Sequence, residues 1–269
     1  MLPRLRAERV ALFAISYDAV EVLRQFAAER GIDFPLLSDT GSAVIRQLGL
    51  LNERVHDDHG AYGVAPNPRH LGVPYPGAFL LDERGVITHK RFHTSYRERE
   101  TGVGLVAHVL GVTASGSGPA AEWKADGISI RASLDSPTYC WFQRLRLDLT
   151  IALADRFHIH GRPAAEGCVP LSLLVAPLEG VEVGEVQWPE PRRLADPETP
   201  DECWVHHGTV RASLPLTFTA PAGGGDRIVQ VAVTYQPHDH STSLGPSTVR
   251  LELAVKEVAL VGRTLPSRT

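Results

Sequence analysis

The sequence predicts two domains, an α/β domain followed by an all-β sandwich. Strand-like and helix-like patterns alternate through residues 1–112, and a stretch rich in Gly, Ser and Ala follows at 113–121. After this linker, seven short apolar stretches are separated by turns rich in Pro and Gly, without a strong helical pattern. We therefore expect the sandwich to occupy 122–258 and residues 259–269 to form a tail.

The first strand and helix of the α/β domain are predicted from adjacent stretches. VALFAIS, which starts at Val10, is an apolar run of strand length and is expected to be buried. AVEVLRQFAAER then has helical periodicity. Asp18 is its predicted N-cap, and Gly31 lies just past its end.

The later elements of this domain include a hairpin. FPLLSD predicts a short extended segment, and GSAVIRQLGL predicts a second helix with Ser42 as a candidate cap. A segment rich in Pro, Gly and His follows, of a length typical of functional loops. GAFLLDERGVITHKRF then predicts strands Gly77–Leu81 and Val86–Phe92 around a turn at Asp82–Gly85, and ERETGVGLVAHVLGV predicts a closing helix.

The second domain is predicted from alternation. RLRLDLTIAL alternates polar and apolar residues with a period of two, which is typical of a half-buried strand. The other stretches run from GISIRASL to TVRLELAVKEV. Together the seven favour an antiparallel β-sandwich.

Composition restricts the class of function. The chain has 269 residues, 43% hydrophobic and 22% charged, with a formal net charge of −4, which is typical of globular domains. It has no Lys/Arg stripe interleaved with aromatic residues, and no apolar run of the roughly 18 residues that a transmembrane helix needs. The start, MLPRLRAERV, has no signal-peptide core. We expect no nucleic-acid partner, no membrane span and, for the chain as printed, a cytoplasmic location.

All three cysteines, Cys140, Cys168 and Cys203, lie after the first 139 residues, and none belongs to a C-x-x-C motif. Each borders an apolar strand, so we expect each to behave as a small, partly buried hydrophobic side chain. The sequence leaves a Cys168–Cys203 pair open.

The first half resembles a known family in three stretches. The strand end AIS-D, the segment FPLLSD and the hairpin PGAFLLDERG together resemble the alkyl hydroperoxide reductase/thiol-specific antioxidant family, the peroxiredoxin-like redoxins, over about residues 2–111. The resemblance implies a thioredoxin-like fold. It also implies a cis peptide bond before Pro76, with Tyr75 and Pro76 beside the substrate or a partner.

The chain departs from this family at its reactive position. The resemblance implies a cysteine at the start of a helix, where the helix N-terminus lowers the thiol pKa. Here LPRLRAER resembles only the tail of that helix, and we assign no catalytic residue. We expect a misplaced start or a fragment, with a truncated pseudo-redoxin as the alternative. The strands flanking the absent central strand are then expected to pair directly, to meet an upstream segment, or to receive a strand from a partner.

The second half resembles the immunoglobulin-like N-terminal domain of the thiol:disulfide interchange protein, the disulfide-bond reductase. The resemblance covers about residues 122–256 and is carried by HIHGRP, GVEVGEVQWP and VTYQ. It implies cysteines at two positions that are His238 and Leu244 in this chain. It also implies that His238, Asp239 and His240 lie where the relatives bind partners, and its relatives are periplasmic.

The histidine clusters allow a further interpretation. Two histidines at i and i+2 on a strand share one face, so His158 with His160, or His238 with His240, would offer two imidazoles each. The HDDH stretch that begins at His56 is another such group. The alternative to metal binding is that these histidines are ordinary loop and strand-end residues. We therefore assign no metal ligand and no cofactor.

These observations predict a redoxin-family protein for thiol-dependent peroxide or disulfide reduction, inactive as this chain because the reactive cysteine is missing. A thiol or disulfide redox partner protein is the expected partner. One alternative is a non-catalytic partner-binding or scaffold protein, and another is a His-based metal-binding module. An upstream extension ending in strand, cysteine and helix would favour the enzyme, and a missing N-terminus would leave a periplasmic location open.

Overall fold

The computed structural model describes residues 2–57, 65, 67–68, 71–93, 98–110, 116–164, 166–194, 203–220, 225–239 and 242–258. The chain divides into two compact units, Met1–Val112 and Thr113–Thr269, which are described separately below. Strand is the dominant secondary structure. In the described part of the chain, no helix is long and apolar enough to cross a membrane.

The first unit contains four helices and five short strands that lie wholly among its described residues, and a further helical stretch begins at Val55. The helices are α1 (Leu2–Ala7), α2 (Val20–Arg30), α3 (Ala43–Gln47) and α4 (Gly102–Leu110). The strands are β1 (Ala14–Ser16), β2 (Leu36–Ser38), β3 (Gly77–Leu81), β4 (Ile87–Phe92) and β5 (Arg99–Glu100).

Four strands of the first unit form two pairs. β1 runs parallel to β2, and β3 runs antiparallel to β4. Within the described residues these are separate two-stranded sheets, so β1 and β3 do not pair directly. The prediction of a buried strand at VALFAIS is wrong, because Phe13 is 57% exposed and Ile15 is 38% exposed. Side chains of α2, among them Leu23 and Phe26, line a cavity with β1 but leave Phe13 and Ile15 largely accessible to solvent.

The hairpin prediction is confirmed. β3 and β4 lie within one residue of the predicted strands, and Asp82 organises the turn between them. Its carboxylate accepts hydrogen bonds from the backbone N–H groups of Arg84 and Val86, both at 2.9 Å. Gly85 adopts a φ of 80°, which a glycine reaches without strain.

Helix ends differ in part from the prediction. Gly31 ends α2 in the left-handed conformation as expected, but Ala19 rather than Asp18 is the N-cap residue. Asp18 instead accepts a hydrogen bond from the hydroxyl of Ser16 at 2.6 Å. Ser42 precedes α3, yet its hydroxyl donates to the carbonyl of Gly72 and caps nothing.

The Tyr75–Pro76 peptide bond is trans, so the predicted cis bond is wrong. Arg162–Pro163 is the cis bond found among the described residues. The chain enters β3 in an extended path, because the N–H of Tyr75 donates to Leu50 and the carbonyl of Pro76 accepts from His93. The ladder of the hairpin thus continues through this segment.

The second unit is built from strands. They are β6 (Ala120–Ala125), β7 (Ile128–Leu134), β8 (Thr138–Tyr139), β9 (Gln143–Leu153), β10 (Phe157–His160), β11 (Ser172–Val175), β12 (Val181–Val183), β13 (Arg192–Leu194), β14 (Cys203–His207), β15 (Thr209–Phe218), β16 (Asp226–Tyr235), β17 (Pro237–Asp239), β18 (Thr242–Ser243) and β19 (Ser247–Glu257). β6 begins at Ala120, inside the predicted linker.

Two sheets of the second unit share one core. The first has the order β12-β15-β9-β7-β6 and the second β11-β16-β19-β8. Alternate residues of β9 are buried over its whole length, as the period-two pattern predicted. These side chains pack in one cluster with those of β16 and β19, and Ile151, Leu147 and Val233 are fully buried there. The result is a two-layer β arrangement.

A third sheet carries the candidate site. Its order is β13-β14-β10-β17-β18, with β10 in the middle. Ile159 of β10 is fully buried in the core of the unit. Because side chains alternate along a strand, the flanking His158 and His160 point to the opposite face of the sheet.

Candidate functional site

Strand register places several histidines on one face of the third sheet. His158 of β10 lies opposite His207 of β14 on one side and opposite His238 of β17 on the other. The ring of His158 lies 5.3 Å from that of His238 and 5.4 Å from that of His207, measured between centroids. Directly opposite residues share a face, so the three imidazoles form a row across the strands.

His160 is the centre of the site. It is buried, and its two ring nitrogens have different partners. Nε2 lies 2.8 Å from Nε2 of His238, and Nδ1 lies 3.3 Å from Sγ of Cys203. Since two imidazole nitrogens share the short contact, one ring is the donor and the other is the acceptor.

Cys168 reaches the same place from a loop. It lies between β10 and β11, where the carbonyl of His160 accepts a hydrogen bond from the N–H of Leu171. The buried side chain of Gln236 holds this loop: its Oε1 accepts from the N–H of Val169 at 2.8 Å, and its Nε2 donates to Leu244 at 3.1 Å. Gln236 therefore fixes the backbone next to Cys168.

The ligand atoms of His160, Cys168 and His238 all lie within 4.8 Å of one another. We call these three residues and the adjacent Cys203 the Cys–His cluster. Cys203 is buried, whereas Cys168 and His238 are half-buried. None of the three cysteines, all of which lie in the described part of the chain, forms a disulfide.

Burial sets the protonation of this cluster. It lowers the pKa of His160, and the neighbouring His238 lowers it further. Burial also lowers the pKa of His238. The pKa of the Cys203 thiol is raised by burial and then by the nearby Cys168. The imidazoles are therefore neutral, and Cys203 is a protonated thiol, near neutral pH.

The structure places the predicted site residues in different units. Tyr75 and Pro76 are half-buried at the entrance to β3 in the first unit. His238 and Asp239 lie in β17 of the second unit, and His240 lies outside the described residues. Only His238 joins the Cys–His cluster.

Sequence reasoning missed the cysteines of the site. Cys203 was predicted to be a small hydrophobic side chain, but its sulfur contacts an imidazole nitrogen. The pair His158 and His160 shares a face as predicted, yet the short contact joins His160 to His238, which lies 78 residues away in the chain. His56 has a buried Nδ1 without a hydrogen-bond partner in the described part of the chain, and His59 lies outside that part.

Fold and site together define a protein with an α/β first unit and a β-rich second unit that carries a Cys–His cluster. The AhpC/TSA family profile matches residues 1–90, which is about a third of the chain. The match supports a redoxin-type, thiol-dependent function at the family level. The matched segment includes Tyr75 and Pro76, contains no cysteine, and ends before the Cys–His cluster.

Solved structures offer distant likenesses. The N-terminal periplasmic domain of ScsB from Proteus mirabilis is similar at 13% identity and a TM-score of 0.37, over 52% of this chain and 51% of that one. The chain therefore spans about half of that neighbour. The reduced N-terminal domain of DsbD from Neisseria meningitidis is similar at 13% identity and a TM-score of 0.28, over 41% of this chain and 77% of that one.

The GAE domain of yeast GGA1 is similar at 15% identity and a TM-score of 0.29, over 49% of this chain and 97% of that one. No curated protein matches the chain.

Proposed function

We propose that this chain serves redoxin-type thiol:disulfide chemistry as a partner-binding protein and has no peroxidase activity of its own. The observation that carries the proposal is the distribution of sulfur. The segment matched by the AhpC/TSA family holds no cysteine, and all three thiols lie at Cys140, Cys168 and Cys203. Peroxide reduction by this mechanism needs a thiolate that attacks the peroxide oxygen.

Partner contacts are assigned to two segments. Tyr75 and Pro76 form an extended entry to β3, whose backbone is held by Leu50 and His93. A segment fixed in this way presents its side chains to a partner at little cost in conformational entropy. The second segment is His238, Asp239 and His240, which includes the end of β17.

Peroxide consumption tests the first half of the proposal. The purified full chain, given hydrogen peroxide and dithiothreitol, is expected to consume peroxide no faster than dithiothreitol alone. A variant with Cys140, Cys168 and Cys203 all replaced by Ser is expected to give the same rate. Consumption above the background in the native chain, lost in the triple variant, would show that these thiols catalyse the reaction and would overturn the proposal.

Binding to a redox protein tests the second half. The probe is a thioredoxin whose resolving cysteine is replaced by Ser, titrated into the full chain by calorimetry. We expect saturable binding that Tyr75→Ala weakens at least fivefold, while Arg84→Ala, in the exposed hairpin turn, leaves it unchanged. No heat of binding, or equal affinity in the Tyr75→Ala and native chains, contradicts the assigned contacts.

A further inference from the structure

We propose that the Cys–His cluster is a site for Zn²⁺, with His160, His238 and Cys168 as the ligands and Cys203 as the residue that orients His160. This inference goes beyond the partner-binding function and does not depend on it. Imidazole nitrogen and thiolate sulfur are the ligands that Zn²⁺ takes in proteins, and Mg²⁺ and Ca²⁺ prefer oxygen. The three ligand atoms lie within 4.8 Å of one another.

The short imidazole contact is close to ligand geometry. A tetrahedral ion with Zn–N bonds of about 2.0–2.1 Å holds two nitrogens about 3.3 Å apart. The Nε2 atoms of His160 and His238 are 2.8 Å apart, so the rings need to separate by only about half an ångström to admit the ion. On binding, the ring that carries its proton on Nε2 loses it to solvent and takes up a proton at Nδ1, so both imidazoles bind the ion as neutral ligands through Nε2.

The second nitrogen of His160 already has a partner. A histidine that binds a metal through one nitrogen normally donates its other N–H to a nearby acceptor, which fixes the ring. Sγ of Cys203 lies 3.3 Å from Nδ1 of His160, within reach to accept this N–H in the tautomer that frees Nε2 for the ion. Cys203 is therefore a positioning residue, and Cys168 supplies the sulfur ligand.

Neighbouring strands and side chains fix the positions of the ligands but leave the site accessible from solvent. His160 is held in the middle of the sheet by both neighbouring strands, and Gln236 fixes the loop beside Cys168. Cys168 and His238 are half-buried, which leaves an approach for the ion. Three protein ligands leave the fourth tetrahedral position for a water molecule. On binding, the Cys168 thiol releases its proton to solvent and coordinates as thiolate.

Metal titration of the reduced full chain tests the site. We expect one Zn²⁺ per chain in competition with a chromophoric chelator, and no competition from Mg²⁺. Co²⁺, used as a spectroscopic substitute, is expected to give a sulfur-to-cobalt charge-transfer band. Cys168→Ser should abolish this band and His238→Ala should weaken Zn²⁺ binding more than tenfold, while Cys140→Ser, in the turn before β9, should change neither.

Cys203→Ser distinguishes a positioning residue from a ligand. We expect it to keep the charge-transfer band while Zn²⁺ affinity falls roughly 10- to 100-fold. Circular dichroism of each metal-free variant checks that the fold is kept; Cys168→Ser and His238→Ala change half-buried side chains and are the decisive variants. Equal Zn²⁺ affinity in Cys168→Ser and the native chain, or a cobalt band lost in Cys140→Ser, would overturn the proposal.

Discussion

Individual residues in this chain take roles that their immediate sequence context does not indicate. Cys203 borders an apolar strand and was predicted to be a hydrophobic residue, but the register of β10 and β14 brings its sulfur to His160. Ser42 stands at the position where a cap is expected, yet a different residue caps α3. In both cases the deciding partner is a side chain or carbonyl supplied by another part of the fold.

Asp39 is the residue that caps α3. It is buried, and its carboxylate accepts hydrogen bonds from the N–H groups of Val44 at 3.2 Å and Ile45 at 2.9 Å. The hydrogen bond from Ile45 is the main cause that lowers the pKa of Asp39 below its ordinary value, and Arg46 contributes. Two backbone N–H groups in the first turn of α3 thereby gain a hydrogen-bond acceptor.

Asp39→Ala is expected to lower the unfolding temperature by a few degrees at neutral pH, because it removes the cap. The folded-state pKa is lowered, so this stabilisation is present above the unfolded-state pKa and is lost as pH falls through the folded-state pKa. The melting curves of the native and variant chains should therefore converge under strongly acidic conditions. Ser42→Ala, which removes a hydroxyl without charge, should show a difference independent of pH; a constant gap for Asp39→Ala would contradict the cap.

At the scale of elements, the sequence predicts those strands and turns whose formation depends on neighbouring residues in the chain. The hairpin and seven of the fourteen strands described in the second unit follow from alternation and turn residues, which are local; the predicted strands are β7, β9, β11, β12, β15, β16 and β19. The pairing of β10 with both β14 and β17 joins residues far apart in the chain and depends on register, which no local pattern specifies. The candidate site could therefore be predicted only as separate histidine pairs.

Gly77 shows why the hairpin begins where it does. A Cβ atom at this position would lie 2.3 Å from the carbonyl oxygen of Arg91 and 2.1 Å from the ring of Phe92, so the close approach of β3 and β4 requires glycine. The predicted partner contacts Tyr75 and Pro76 immediately precede it.

Gly77→Ala is expected to destabilise the hairpin by about 1–3 kcal/mol, because a backbone carbonyl cannot move aside as a flexible side chain can. Hydrogen exchange measures this directly: the N–H of His93, which donates to Pro76, should lose protection. Gly85→Ala is the matched control, since its Cβ meets no atom within 4 Å and the substitution strains only the turn. Unchanged protection at His93 in Gly77→Ala would show that the strands separate without cost.

At the scale of the whole molecule, the two units differ in how they bury apolar side chains. The second unit encloses one cluster in which Ile151 and Leu214 are nearly inaccessible to solvent. In the first unit, Ile15 of β1 and Leu37 of β2 lie opposite each other and are both exposed, as is Phe26 of α2. Exposed apolar side chains beside an unpaired strand edge favour self-association.

Ile15→Lys is expected to reduce concentration-dependent light scattering of the full chain, because a charge at a strand edge opposes edge-to-edge pairing. Ile15 is only partly buried, so the circular dichroism spectrum should stay unchanged. Val44→Lys on α3 is the control: Val44 is 42% exposed and its replacement adds the same charge, but it lies on a helix and not at a strand edge. An equal reduction of scattering by both substitutions would attribute the effect to net charge and would contradict a role for the β1 edge.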